Sequence, residues 1–207
     1  MSDFIYLASQ SPRRQELLKQ IGVRFEMLLP APGEDAESIE IPLPQEKARN
    51  YVKRVTLAKA SLALARWRKS GLPWAPILCA DTTVSLPNSE NGEILGKPID
   101  ADDARRILEM LSGKTHEVLT AIALINNPED APNCVVQISE VEFANLSSEQ
   151  INTYIASQEP FGKAGAYGIQ GSAGAFISKI NGSYSGIMGL PLYETAQLLE
   201  RARITRI

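Results

Sequence analysis

The chain predicts a mixed α/β fold, and three features of the sequence lead there. A short apolar run at 5–7 passes directly into a proline-entered amphipathic stretch, which reads as strand then helix. A long stretch of 3.6-residue period over 46–69 is followed by a fully apolar run at 77–80, a second helix–strand alternation. Two long strand-like stretches, 114–125 and 134–146, then follow one another with only a loop between them. The 207 residues are enough for one large domain or two small lobes, and we expect a single domain over 1–207.

The first element carries the clearest local chemistry. Ser11 suits an N-cap and Pro12 the first helical position, where a missing N–H costs nothing. Gly22 can close the helix, and Leu17, Leu18 and Ile21 form its inward stripe. Arg14 lies on that stripe one turn earlier, so its guanidinium hangs over the helix entrance with the free amides and the positive end of the dipole. That combination suits a phosphate, and an ordinary capped helix with exposed arginines fits the same spacing.

Residues 23–29 read as a short strand. Residues 30–45 carry Pro, Glu, Asp and Gly without period and read as a loop, of a length that is often functional, although its acidic part, 34–37, reads first as solvated. The helix over 46–69 buries Ala48, Tyr51, Val52, Val55 and Leu62, and Lys59 falls in the middle of that stripe. An ammonium there must snorkel, pair or face a polar cleft. Arg66 lies on the same face, where a cation near the helix C-terminus is favoured by the dipole. After the break at 71–76, Asp81 stands inside an otherwise apolar strand, and such a carboxylate is paired or catalytic, with ligand sites favouring strand ends. Residues 88–92 form a turn, and Lys97 is a cation between Gly96 and Pro98.

Asp100 caps a third helix whose buried stripe is Ala104, Ile107, Leu108 and Leu111. His116, the one histidine, reads as structural. Ser147 and Gln150 form a capping box for a helix over 148–157. The glycine-rich stretch 162–174 allows close backbone approach but matches neither a Walker A loop nor a Rossmann fingerprint. A strand over 175–180 should meet a hairpin turn at Asn181-Gly182, followed by glycine-rich residues 183–190. A last helix opens at Pro191, with Leu192, Ala196 and Leu199 inward.

Composition narrows the function classes. Hydrophobic residues make up 44% and charged residues 22%, and 21 Lys+Arg against 24 Asp+Glu leave a net charge of −3. That balance argues against broad binding of nucleic-acid polymers or anionic membranes, and no apolar run is long enough to span a bilayer. The N-terminus resembles no signal peptide, and Cys79 and Cys134 fit two buried thiols in a reducing compartment, so a cytoplasmic protein is expected.

Assembled in order, the segments resemble the Maf family of nucleoside triphosphate pyrophosphatases over essentially the whole chain. The likeness rests on Leu-Ala-Ser-Gln-Ser-Pro-Arg-Arg (7–14), Ala-Asp-Thr (80–82), Gly-Lys-Pro (96–98), Ser-Gly-Lys-Thr-His-Glu-Val (112–118), Lys-Ala-Gly-Ala-Tyr-Gly-Ile-Gln-Gly (163–171) and Gly-Leu-Pro-Leu (189–192). The resemblance implies an elongated mixed sheet with flanking helices, two lobes around a cleft, and a shape related to inosine triphosphate pyrophosphatases. It also implies cleavage of a nucleoside triphosphate to monophosphate and pyrophosphate with Mg²⁺ or Mn²⁺.

By this likeness Ser9, Arg14, Lys59 and Lys97 match the phosphate-binding set. Asp81 matches the proton acceptor, which can equally hold the metal. Glu34 matches a metal-side acid, although the usual Asp-Glu pair reads Gly33-Glu34 here. Arg13, Thr82 and Gln170 match the branch acting on dTTP and UTP, and a house-cleaning role on modified pyrimidine nucleotides would differ only in the physiological substrate. A Gln amide can donate and accept as the imide edge of uracil or thymine requires. A nucleotide-binding regulator of cell division with little hydrolysis is the alternative, and a homodimer is compatible with either.

Overall fold

The computed structural model describes residues 3–30, 34, 38–87 and 93–204. Among them the chain runs β1 (Ile5–Leu7), α1 (Pro12–Gln20), β2 (Phe25–Met27), α2 (Ala48–Ser70), β3 (Ile77–Leu86), β4 (Glu93–Leu95), α3 (Ala101–Leu111), β5 (Thr115–Ile125), β6 (Asn133–Phe143), α4 (Ser148–Ala156), β7 (Ile177–Asn181), α5 (Tyr184–Met188) and α6 (Leu192–Arg201). Three 3₁₀ turns, Ser38–Glu40, Ala164–Ala166 and Ser172–Phe176, lie between these elements. The strands make one seven-stranded sheet ordered β2-β1-β3-β5-β6-β7, with β4 also paired to β3. β1 runs parallel to β2 and β3, and every other pairing is antiparallel, so the fold is the expected mixed α/β type.

The pairing of β3 creates the setting for a site. One edge is laddered to β5 from Ile77↔Ile125 to Ser85↔Glu117. On the other edge, β1 covers only Ile77 and Leu78, and β4 covers only Val84 to Leu86. Residues 79–83 therefore lie in a gap between two partners, open to side chains arriving from elsewhere.

The core parts at the same place. On one face of β3, Leu78 and Ala80 pack with Leu17, Leu18 and Leu199, whereas Val84 and Leu86 pack with Ile107, Leu108 and Tyr154. Thr82 stands between the two apolar clusters. On the opposite face, Ile77 and Cys79 pack against Ala60 and Ala63 of α2, and Asp81 follows them. A polar residue thus interrupts the apolar sequence on each face of the sheet, one position apart.

Several local expectations meet their physical cause. Gly22 takes φ 67°, and its N–H and that of Val23 bond Lys19 O and Leu18 O, closing α1 in a Schellman pattern. Asp100 accepts from Asp103 N, and Ser147 with Gln150 forms both halves of the capping box. Ser11 holds the cap position of α1 without a side-chain cap bond, and the hydroxyl that turns the chain is Ser9 Oγ, accepting from Ser11 N at 3.2 Å.

Others need correction. The strand end beside the ligand site is that of β1, while Asp81 itself lies inside β3 as expected. No hairpin forms at Asn181-Gly182, because Ser183 caps α5 through Gly186 N and redirects the chain into a helix. In α6 the buried positions are Thr195, Leu198 and Leu199, with Leu192 and Ala196 half-buried. Cys79 is buried and Cys134 half-buried; both are free, and burial pushes the Cys79 thiol up to about 12. Gly33, the acidic residues at 35 and 37, and the turn at 88–92 lie outside the described residues. No helix among the described residues is long and apolar enough to cross a membrane.

Candidate active site

A cavity of about 830 Å³ opens over the gap in β3, within the range of small-molecule sites. Ser9, Arg13, Arg14, Glu34, Lys59, Asp81, Thr82, Lys97 and Gln170 all line it. They come from α1 and the turn before it, the 30–47 segment, α2, β3, the strand exit after β4, and the glycine-rich segment before β7.

On the α2 face, Lys59 Nζ donates to Asp81 Oδ1 at 2.6 Å and to Glu40 Oε1 at 2.7 Å. The other oxygen of Glu40 accepts from Lys97 Nζ at 2.8 Å. Burial works against the Glu40 charge, but Lys59 and Lys97 outweigh it and hold its carboxyl below the usual range. Lys59 therefore neither snorkels nor sits in the apolar core: it joins two carboxylates. Glu34 gives both its oxygens to Arg66, whose Nη1 also reaches Leu28 O at 2.7 Å.

On the opposite face, Arg14 is held at three points. Nε donates to Gly189 O at 2.8 Å, Nη1 to Ser9 Oγ at 3.1 Å and Nη2 to Thr82 Oγ1 at 3.2 Å. The hydroxyls behind it have a fixed direction. Thr120 spends its hydrogen on Gly186 O at 2.7 Å, so at 2.9 Å it accepts from Thr82, and Thr82 in turn accepts from Arg14. Burial lowers the Arg14 pKa, while Asp81 and Glu40 support its charge, and a guanidinium stays protonated throughout. Arg13 turns aside, its Nε donating to Met188 O at 3.2 Å.

The far end of the cavity is built on the glycine-rich segment. A Cβ at Gly168 would lie 3.2 Å from both Gln170 Nε2 and Lys163 Cδ, so the bare backbone lets these side chains lie against it. Lys163 Nζ donates to Glu159 O, and burial together with the Arg13 charge lowers its pKa. Gly165 adopts φ 69°, and a Cβ there would meet Val84 Cγ2 at 2.7 Å. Its N–H bonds Gly96 O at 3.0 Å, tying this segment to the residue before Lys97.

Two cavity residues escape the sequence reading. Glu40 lies in an aperiodic loop and gives no local signal. Arg66 had one: it follows Lys59 by seven residues on the same helical face, yet the dipole offered a sufficient local reason for it. His116 is structural as expected: it is fully buried, its Nε2 lies 2.8 Å from Tyr167 Oη, and burial lowers its pKa to about 4.

Comparison with known proteins adds an independent line. A dTTP/UTP pyrophosphatase of Burkholderia orbicola (strain AU 1054) is 58% identical over 200 residues, covering 97% of this chain and 93% of that one. That of Albidiferax ferrireducens is 58% identical over 97% of both chains, and that of Cupriavidus pinatubonensis 53% identical over 99% of both. The solved structure of the Staphylococcus aureus Ham1 protein aligns at a TM-score of 0.40 and 12% identity, over 68% of this chain and 72% of that one. The family model described as Maf-like protein matches residues 4–202, and the chain belongs to the Maf family.

Proposed function

We propose that the protein is a nucleoside triphosphate pyrophosphatase that cleaves dTTP and UTP to the monophosphate and pyrophosphate by attack of water at the α-phosphate. The observation that carries this reading is the convergence of Arg14, Lys59 and Lys97 from three distant segments around Asp81 in one cavity. The relatives named above supply the substrate class.

Arg14 is the anchor for phosphate oxygens, because its fork is pre-set by Ser9, Thr82 and Gly189. Lys59 and Lys97 neutralise charge on the triphosphate and on the departing pyrophosphate. Asp81 gives one oxygen to Lys59 and takes the proton of the attacking water. Gln170 presents an amide to the pyrimidine edge, Arg13 lines the same cavity, and Thr82 contributes to base choice through its bond to Arg14.

The hard oxygen donors of the cavity suit Mg²⁺ or Mn²⁺, which bind through one or two carboxylates together with substrate phosphates. Asp81 would hold such an ion as the alternative to taking the proton itself, Glu34 would join it only by giving up an oxygen now bonded to Arg66, and the ion would supply charge neutralisation and a more acidic water.

Replacing Asp81 by Asn tests the assignment. Turnover of UTP with Mg²⁺ should fall by at least about a hundredfold, the scale of lost general-base catalysis, with thermal stability retained. Near-normal turnover of this variant would remove Asp81 from the reaction.

A further inference from the structure

Glu40 belongs to none of the motifs that carry the family likeness, yet it is the cavity acid that joins Lys59 to Lys97. Its backbone is fastened from α2. Tyr51 Oη donates to Glu40 O at 2.7 Å, Arg54 Nη1 to Ile39 O at 3.1 Å and Arg54 Nη2 to Ile41 O at 3.0 Å. Arg54 is itself clamped by Glu46, through Nε and Nη2 at 2.7 Å each. The 3₁₀ turn that carries Glu40 is therefore secured on both sides of the residue.

From that fixed point the carboxylate divides its oxygens, Oε1 to Lys59 and Oε2 to Lys97. An ammonium has three hydrogens. Lys59 uses two of them, on Asp81 and Glu40, and Lys97 uses one, on Glu40. Hydrogens remain on both lysines to meet phosphate oxygens while Glu40 stays in place. Lys97 gains most from this arrangement, because its side chain is 55% exposed and Glu40 is its ion-pair partner among the described residues.

We infer that Glu40 is a positioning residue for the polyphosphate: a rigidly mounted carboxylate that sets the separation and direction of Lys59 and Lys97, so that the two ammoniums meet the pyrophosphate portion of the substrate already ordered. This deepens, and rests on, the reading of the cavity as a triphosphate site. An acid that merely competed with phosphate for the lysines would act in the opposite sense, and that difference in sign makes the inference testable.

The probe is inorganic pyrophosphate with Mg²⁺, titrated calorimetrically into the full chain. Glu40→Gln should weaken pyrophosphate binding about tenfold, as expected when two long side chains must be ordered on binding. Glu40→Asp, which keeps the charge, should recover part of the loss. In steady-state assays with UTP the Glu40→Gln change should raise KM by a larger factor than it lowers kcat.

A Lys97→Met background should shrink the Glu40→Gln effect on pyrophosphate to about threefold, because one of the two lysines it acts through is gone. The thermal midpoint of each variant reports on folding. Tighter or unchanged pyrophosphate binding by Glu40→Gln, or an undiminished effect in the Lys97→Met background, overturns the inference. Wild-type protein that binds pyrophosphate but releases none from UTP overturns the pyrophosphatase reading and leaves the positioning role to be judged by these affinities. Wild-type protein that does not bind pyrophosphate overturns both.

Discussion

Arg14, Lys59 and Asp81 stand out in the sequence for one reason: each places a charge where hydrophobic periodicity calls for an apolar side chain. The structure resolves the conflict by bringing all three to one cavity, where the charges answer one another. Thr82 is less legible. Its hydroxyl is committed between Arg14 and Thr120, which only the pairing of β3 with β5 creates. Gln170, by contrast, is exposed where it lines the cavity, with its amide lying against the bare backbone of Gly168. Exchanging Gln170 for Glu removes the amide donor and adds a negative charge, so cleavage of dTTP and UTP should fall relative to purine nucleotides by about tenfold or more, the loss of one matched polar contact. Rates measured across a nucleotide panel check this, and an unchanged ranking would take Gln170 out of base recognition.

At the scale of elements, the predictions that held are those whose causes are local. Caps, the Schellman closure and the long amphipathic helix depend on neighbours within a turn or two. The failures are those where a distant contact decides. Asn181-Gly182 is a strong hairpin signal, but Ser183 starts α5, and among the described residues β7 ladders with β6. The 30–45 loop has no period to read, so the turn at Ser38–Glu40 and its fastening by Tyr51 and Arg54 could not be foreseen.

The contact between β5 and the glycine-rich segment yields a prediction in pH. His116 on β5 titrates near its ordinary value of 6.5 when unfolded but near 4 when folded, because burial disfavours its charged form. The unfolded chain therefore binds the extra proton first, and stability falls as pH drops from 6.5 towards 4. Glu40, Glu46 and Glu159, held below their ordinary 4.5, cost stability only beneath that value, so they leave the upper part of the window to His116. Over that interval His116 should account for about 2–3 kcal/mol of lost stability. Denaturant unfolding, followed by the fluorescence of Trp67 and Trp74, should show a shallower pH dependence for His116→Gln than for wild type. Parallel curves would contradict the assignment.

Across the whole molecule, a sheet whose strand β3 lacks a partner on one edge over 79–83 sets two apolar clusters on either side of a polar seam. Cations from three segments and a carboxylate in the strand meet at that seam. In the proposed reaction water attacks the α-phosphate. Turnover of UTP in ¹⁸O-labelled water with Mg²⁺ tests it most directly. Attack at that phosphorus puts one labelled oxygen in the uridine monophosphate and gives unlabelled pyrophosphate, with no orthophosphate as first product. Label in the pyrophosphate, or early orthophosphate, would contradict it.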